Sequence, residues 1–129
     1  MLKFCALLLL LTGCSTFDHV PACFSSSSQL ALNDCAAGQF EIADKKLSGL
    51  NTKYIARLAG AQKAAFIGSS AAWENYREAA CKYEASTIEG GSAWPMPYFS
   101  CKSSLTNERI TYMSSLSTCK EGDYNCPVW

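Results

Sequence analysis

The chain has 129 residues, with eleven Lys and Arg against eleven Asp and Glu, for a formal net charge of zero. That length suits one domain and not two. The charge balance, with no basic patch, argues against nucleic acid as a partner and against electrostatic capture of a basic protein.

Residues 1–13 read as a targeting segment. Lys3 gives a short basic start, and residues 4–11 form an apolar run. That run is far short of the roughly 20 residues a spanning helix needs. Thr12 and Gly13 supply the small residues that suit signal-peptide cleavage. Leu11-Thr12-Gly13-Cys14 resembles a bacterial lipobox. By that resemblance Cys14 carries lipid on its sulfur and acyl on its new amino group, and Ser15 after it implies the outer membrane. The rival is an ordinary signal peptide with an incidental Cys14. The expected address is the cell envelope, at the outer membrane facing the periplasm, with the lipid anchor as the membrane contact. Loss of residues 1–13 removes Lys3 and leaves ten cationic side chains against eleven acidic ones, a net charge near −1. Residues 14–25, punctuated by Ser15, Asp18 and Pro21, read as a tether. Residues 26–129 are the expected domain.

Eight cysteines need sorting. Cys5 leaves with the signal segment and Cys14 takes the lipid. Cys23, Cys35, Cys81, Cys101, Cys119 and Cys126 remain, an even set that implies three disulfides in an oxidising compartment. Six cysteines allow 15 connectivities. Local pairing favours 23–35, 81–101 and 119–126, and 81–101 would close the connection between two predicted helices. No metal site is expected, because there is no Cys-x-x-Cys and the single His19 lies apart from the cysteines.

Ser26 and Gln29 have the form of a capping box. The helix they open carries Ala36, Phe40, Ala43, Leu47, Leu50, Tyr54 and Leu58 at spacings of three and four, a core-facing stripe. Gly38 and Gly49 each cost about 1 kcal/mol against Ala, and a bend or break near Gly49 is expected. Gly60 is the expected stop, and residues 61–63 a short connection. A second helix runs from about Lys63 to Tyr83 or Glu84, with a weak spot at residues 68–70. The short connection makes the two helices antiparallel neighbours.

The second helix carries the most organised stretch. Trp73, Arg77 and Cys81 recur every four residues on one stripe, and Trp73, Tyr76, Ala80 and Tyr83 form an overlapping one. Tyr54 and Tyr76 are expected in the core with hydroxyls at its rim. Arg77 has two readings: a structural one, in which it stacks on Trp73 or binds a carboxylate or helix-end carbonyls, favoured by its place on the Trp–Cys stripe, and a functional one, in which it is presented to a partner. Residues 86–100 hold two Gly and two Pro among large side chains, so an ordered loop is expected there rather than a regular helix. Residues 103–118 give a third helix, with Leu105, Arg109, Tyr112 or Met113, and Leu116 in register. The predicted fold is all-α: a small three-helix domain stapled by disulfides, with a Gly/Pro/aromatic loop between helices 2 and 3.

No catalytic constellation stands out. His19 lies in the tether, where no triad can form around it without delivery into a folded site. Glu74 and Glu78 lie at i and i+4 and read as a solvated face, able to pair with Arg77 or Lys82 for at most about 0.5 kcal/mol each. No enzyme activity and no cofactor are expected. The loop offers Trp94, Tyr98 and Phe99, residue types enriched at interfaces, with Ser92 and Lys102 as polar contacts beside them. The competing reading makes these aromatics a lid on the open end of the core.

Several of these residues resemble one family. Leu50-Asn51-x-x-Tyr54 is similar to the first-helix motif of the LprI-like lysozyme inhibitor N-terminal family. Trp73-x-x-Tyr76-Arg77-Glu78-x-x-Cys81 is similar to its second-helix signature. Gly90-Gly91-Ser92, Cys101 and Thr106-x-x-Arg109 follow in the family's order. Cys23 and Cys35 sit where the family has its first two cysteines. The resemblance covers about residues 23–117. The family often has Gln three positions before the Trp, where this chain has Ser70, and Cys119 and Cys126 lie outside the pattern. The resemblance implies a small helical exported or lipid-anchored bacterial protein that binds and inhibits lysozyme. The alternative is an envelope scaffold with an endogenous partner and no effect on lysozyme.

Overall fold

A computed structural model describes residues 23, 28–118, 120, 122–124 and 127. The targeting segment, Cys14, His19, Ser26 and the Cys119–Cys126 pairing lie outside the described residues. Helix α1 spans Gln29–Arg57, α2 spans Gly60–Glu84 and α3 spans Pro95–Leu116. A short 3-10 turn, Ser86–Ile88, follows α2. Among the described residues there is no strand, and no helix is long and apolar enough to cross a membrane.

The cap of α1 is Ser28, whose Oγ accepts from the Ala31 N–H at 3.2 Å. The Gln29 amide donates to Asn33 Oδ1 at 2.9 Å. The helix then runs unbroken through Gly38 and Gly49. The glycine cost left room for a bend or break near Gly49, but burial of the stripe holds the helix continuous against the roughly 1 kcal/mol that each glycine costs. Ala36, Ala43, Leu47, Tyr54 and Leu58 of that stripe are buried.

The turn between α1 and α2 is tighter than expected. Leu58 closes α1 by donating its N–H to the Tyr54 carbonyl, and Gly60 already belongs to α2. Gly60 has φ +52, a conformation open to glycine at little steric cost. It is therefore the hinge of a turn made by residues 58 and 59, and residues 61–63 are helical.

The loop after α2 is also shorter than predicted. α3 starts at Pro95 and not near residue 103. Both prolines fall in its first turn, where backbone N–H groups have no intrahelical acceptor and a fixed φ is already helical. Pro95 and Pro97 thus start the helix that they were expected to exclude.

Chain neighbours are not the closest neighbours. α1 packs most closely on α3, α2 packs on α3, and the α1 and α2 backbones stay furthest apart. The buried faces of α1 and α3 carry the small side chains Ala36, Ala43, Ser103 and Thr106, which let two backbones approach. Long side chains span the gap between α1 and α2: Tyr54 stacks on Phe66 with centroids 5.5 Å apart, and Arg77 reaches Asp44.

The core has two parts. One is Leu47, Tyr54, Leu58, Ile110 and Met113, flanked by Phe66 and Trp73. The other is Cys81, Ala85 and Tyr98, flanked by Trp94, Phe99 and Leu105. Disulfides Cys23–Cys35 and Cys81–Cys101 are formed. Along α2 and α3, Arg77 and Thr106 fall between the two parts, and Arg77 reaches from there to Asp44 of α1.

The contacts Asp44–Arg77 and Tyr54–Phe66 fix an antiparallel register. Asn51 lies seven residues after Asp44 and Ser70 seven before Arg77, so the two oppose each other. Asn51 Oδ1 and Ser70 Oγ are both buried without a hydrogen-bond partner. A longer amide at position 70 would reach across. Ser70→Gln is expected to raise stability by about 1 kcal/mol, the net value of one such bond. Thermal melts should then shift upward by roughly 4–8 °C; an unchanged or lower midpoint would remove this pairing.

Candidate functional site

Glu78, Lys82, Tyr98 and Lys102 form the main titratable cluster. The Tyr98 hydroxyl donates to the Glu78 carboxylate at 2.7 Å, and Lys102 Nζ donates to it at 3.1 Å. Lys82 pairs with the same carboxylate at 3.2 Å, one turn along α2. The Tyr98 hydrogen bond, then that of Lys102, holds the Glu78 carboxyl down at about 2. Burial, then the Glu78 carboxylate, pushes the Tyr98 hydroxyl up to about 12. These shifts favour a fixed charge and a fixed proton. They are the opposite of a carboxyl poised for proton transfer near neutral pH.

The pH consequence has a definite sign. Folding depresses the Glu78 pKa, so its contribution is present above the ordinary value of 4.5 and is lost as pH falls toward 2. Folding raises the Tyr98 pKa, so its contribution is present below 10 and is lost as pH rises toward 12. Melting temperature should therefore fall at both extremes. In Glu78→Gln the acid limb should flatten; acid limbs that superpose would remove Glu78 from this role.

The same cluster withdraws residues expected at a partner surface. Tyr98 is buried. Lys102 has its side chain 12% exposed, with Nζ 4.4 Å from the centre of the Phe40 ring. Trp94 is half-buried and stacks on Tyr98 at 4.5 Å, and Phe99 stacks on Phe40. These rings pack on the part of the core around Cys81 and Ala85. Ser92 is exposed, with its carbonyl accepting from the Asn33 amide at 2.8 Å. Replacing Trp94 and Tyr98 would therefore disturb the core as well as any contact.

The signature residues divide in the same way. Leu50, Tyr54, Trp73 and Cys81 belong to or flank the two cores. Tyr54 is buried and donates its hydroxyl to the Met113 carbonyl, away from any rim. Arg77 is 8% exposed and donates Nη1 to Asp44 at 2.7 Å and to Thr106 at 2.8 Å. Its guanidinium stands over Trp73 and Phe40, 4.9 and 5.0 Å from the ring centres. Tyr76 is the exception. Expected in the core, it is 60% exposed, and Tyr83 is 81% exposed. The reason is the position of α2, which buries only the narrow stripe through Phe66, Trp73, Arg77 and Cys81. Met113, not Tyr112, fills the core on α3.

The outer stripe of α2 was not singled out in the sequence. Ala65, Ser69, Ala72, Tyr76, Ala79 and Tyr83 follow at alternating steps of four and three, and all six are exposed. Uncharged residues at that period form a continuous seam along one side of a helix. The alternation was the available signal. Alanine and serine at four of its six positions made it weak. Among the described residues no cluster of His, Cys, Asp and Glu could hold a metal ion.

Comparison with known proteins agrees with this arrangement. The family described as Lysozyme inhibitor LprI matches residues 22–113. The chain belongs to the LprI family. The matched span contains all three helices up to Met113 and both described disulfides. The chain is also similar to "Uncharacterized protein R02472" of Rhizobium meliloti (strain 1021). The two are 28% identical over 114 residues, covering 78% of this chain and 82% of that protein. No solved structure matches. Within this LprI domain, the family's Gln position falls at Ser70, which is half-buried with its Oγ out of contact with solvent.

Proposed function

We propose that this LprI-family protein is a binding module of the bacterial cell envelope that captures and inhibits lysozyme. The family match over residues 22–113 carries the reading. The outer seam of α2 is the proposed contact surface. Tyr76 and Tyr83 supply large amphipathic contact area there, as interface anchors do. Tyr76 also belongs to the family motif, while its side chain adds nothing to either core. Residues 1–13 are the proposed signal peptide and Cys14 the proposed lipid anchor, which would hold the domain at the outer membrane. Inhibition would follow from covering the glycan cleft, where catalysis depends on two carboxylates.

The test is a titration of the oxidised protein into c-type, g-type and i-type lysozymes acting on cell-wall substrate. Saturable inhibition of one type is expected. Tyr76→Ala combined with Tyr83→Ala should weaken it by about tenfold or more, the scale of lost interface anchors, with an unchanged melting temperature. Inhibition that survives the double substitution would move the contact off α2. No inhibition of any type by the folded protein would favour the envelope-scaffold reading.

A further inference from the structure

A second feature of the fold lies at the start of α2, away from Tyr76 and Tyr83. The start of α2 and the end of α3 border a half-open cavity of about 260 Å³. Leu58, Phe66, Met113 and Leu116 supply apolar walls. Tyr54 lines it too, with its hydroxyl already spent on the Met113 carbonyl. The volume lies just below the roughly 300–1,000 Å³ of ordinary small-molecule pockets.

One cation lines this apolar space. Arg109 holds its guanidinium 5.7 Å from the centres of both the Trp73 and Tyr112 rings. Its Nη2 donates a long hydrogen bond of 3.4 Å to Ser69. No carboxylate pairs with it among the described residues, whereas Arg77, Lys82 and Lys102 each have one. Two rings thus hold a guanidinium beside apolar walls, with no carboxylate on it among the described residues. A planar guanidinium matches a carboxylate with two parallel N–H donors, and the walls match a hydrocarbon body.

We infer that this cavity binds an amphipathic carboxylate of the medium-chain fatty acid type, carboxylate on Arg109 and chain against Phe66, Met113 and Leu116. The cavity shares Ala65 and Ser69 with the start of the α2 seam, but the proposed lysozyme anchors Tyr76 and Tyr83 do not line it. Either can fail without the other.

The experiment titrates carboxyl-labelled decanoate into the full oxidised protein and follows the carboxyl carbon by NMR. A saturable one-to-one complex is expected. Arg109→Gln should weaken it at least tenfold. Ala65→Phe, at an exposed lining position, fills the cavity while leaving Arg109 in place, and should weaken it equally. Decanol should bind at least tenfold less tightly than decanoate, and decyltrimethylammonium less still. Melting curves of both variants establish that they fold. Absence of saturable binding, full affinity in Arg109→Gln, or equal affinity for the cationic amphiphile would each overturn the assignment.

Discussion

Replacing Arg77 by Ala should lower stability by about 3 kcal/mol, toward the lower end of what breaking a buried charged contact costs. In a domain of this size that is a fall of roughly 12–24 °C in melting temperature. Three losses combine. The guanidinium fills the gap between α1 and α2, stacked on Phe40 and Trp73. Its Nη1 ties Asp44 of α1 to Thr106 of α3 through one side chain on α2. Thr106 is fully buried and loses a donor, although its own hydroxyl still donates to the Lys102 carbonyl. The charge itself contributes least, because the Asp44 side chain is 47% exposed and remains solvated when abandoned. Asp44→Asn should therefore cost much less than Arg77→Ala. Arg77→Lys should fall between them, since an ammonium keeps the charge but loses the flat stack. Chemical denaturation of the three variants checks the order. An Arg77→Ala protein within about 1 kcal/mol of the parent, or an Asp44→Asn protein as damaged as Arg77→Ala, would show that the stacked polar layer does not join the helices.

How far these features could be read in the sequence depends on how local their causes are. The α1 stripe and the Trp73–Arg77–Cys81 stripe were legible because each is set by helical period alone, and the buried residues fall on them. Arg77 was legible as a stacked cation for the same reason, but Asp44 and Thr106 were not, since nothing local marks a partner on another helix. The boundaries failed where one residue type serves two purposes. Gly60 ends one helix by opening the next, and Pro95 and Pro97 start a helix that they could not continue. Tyr76 and Tyr83 failed for a further reason. Helical spacing says which side chains share a face, but only the packing of α2 on α3 decides which face is inside. The same ambiguity hid the candidate surfaces. The 86–100 segment was read as a contact loop or a lid, and neither reading anticipated that α3 starts at Pro95 and buries Tyr98.

Removing the Cys81–Cys101 disulfide should have an effect of similar size for a different reason. The bond joins residues 20 apart, and closing a loop of that length restrains the unfolded chain by about 3 kcal/mol. Cys81 is fully buried beside Ala85 and Tyr98, so the folded state also depends on what replaces the sulfur. The Cys81→Ala, Cys101→Ala protein should melt roughly 12–24 °C lower. A serine at position 81 should cost about 1–3 kcal/mol more, because it buries a hydroxyl without a partner. Loss of the Cys23–Cys35 bond should cost less, since it closes a shorter loop against an exposed position of α1. Denaturant titrations of the three proteins separate these terms. Equal losses from both bridges, or a serine variant as stable as the alanine one, would mean that the upper core is not organised around Cys81. The comparison also bears on function. The α2 seam carries Tyr76 and Tyr83 on helix surface that needs no disulfide to be displayed. If the protein inhibits lysozyme as proposed, a folded Cys81→Ala, Cys101→Ala protein at low temperature should still do so, and reduction should abolish inhibition only where it unfolds the domain. Inhibition lost while the helices remain intact would instead put the contact on the segment that this bridge holds, between α2 and α3.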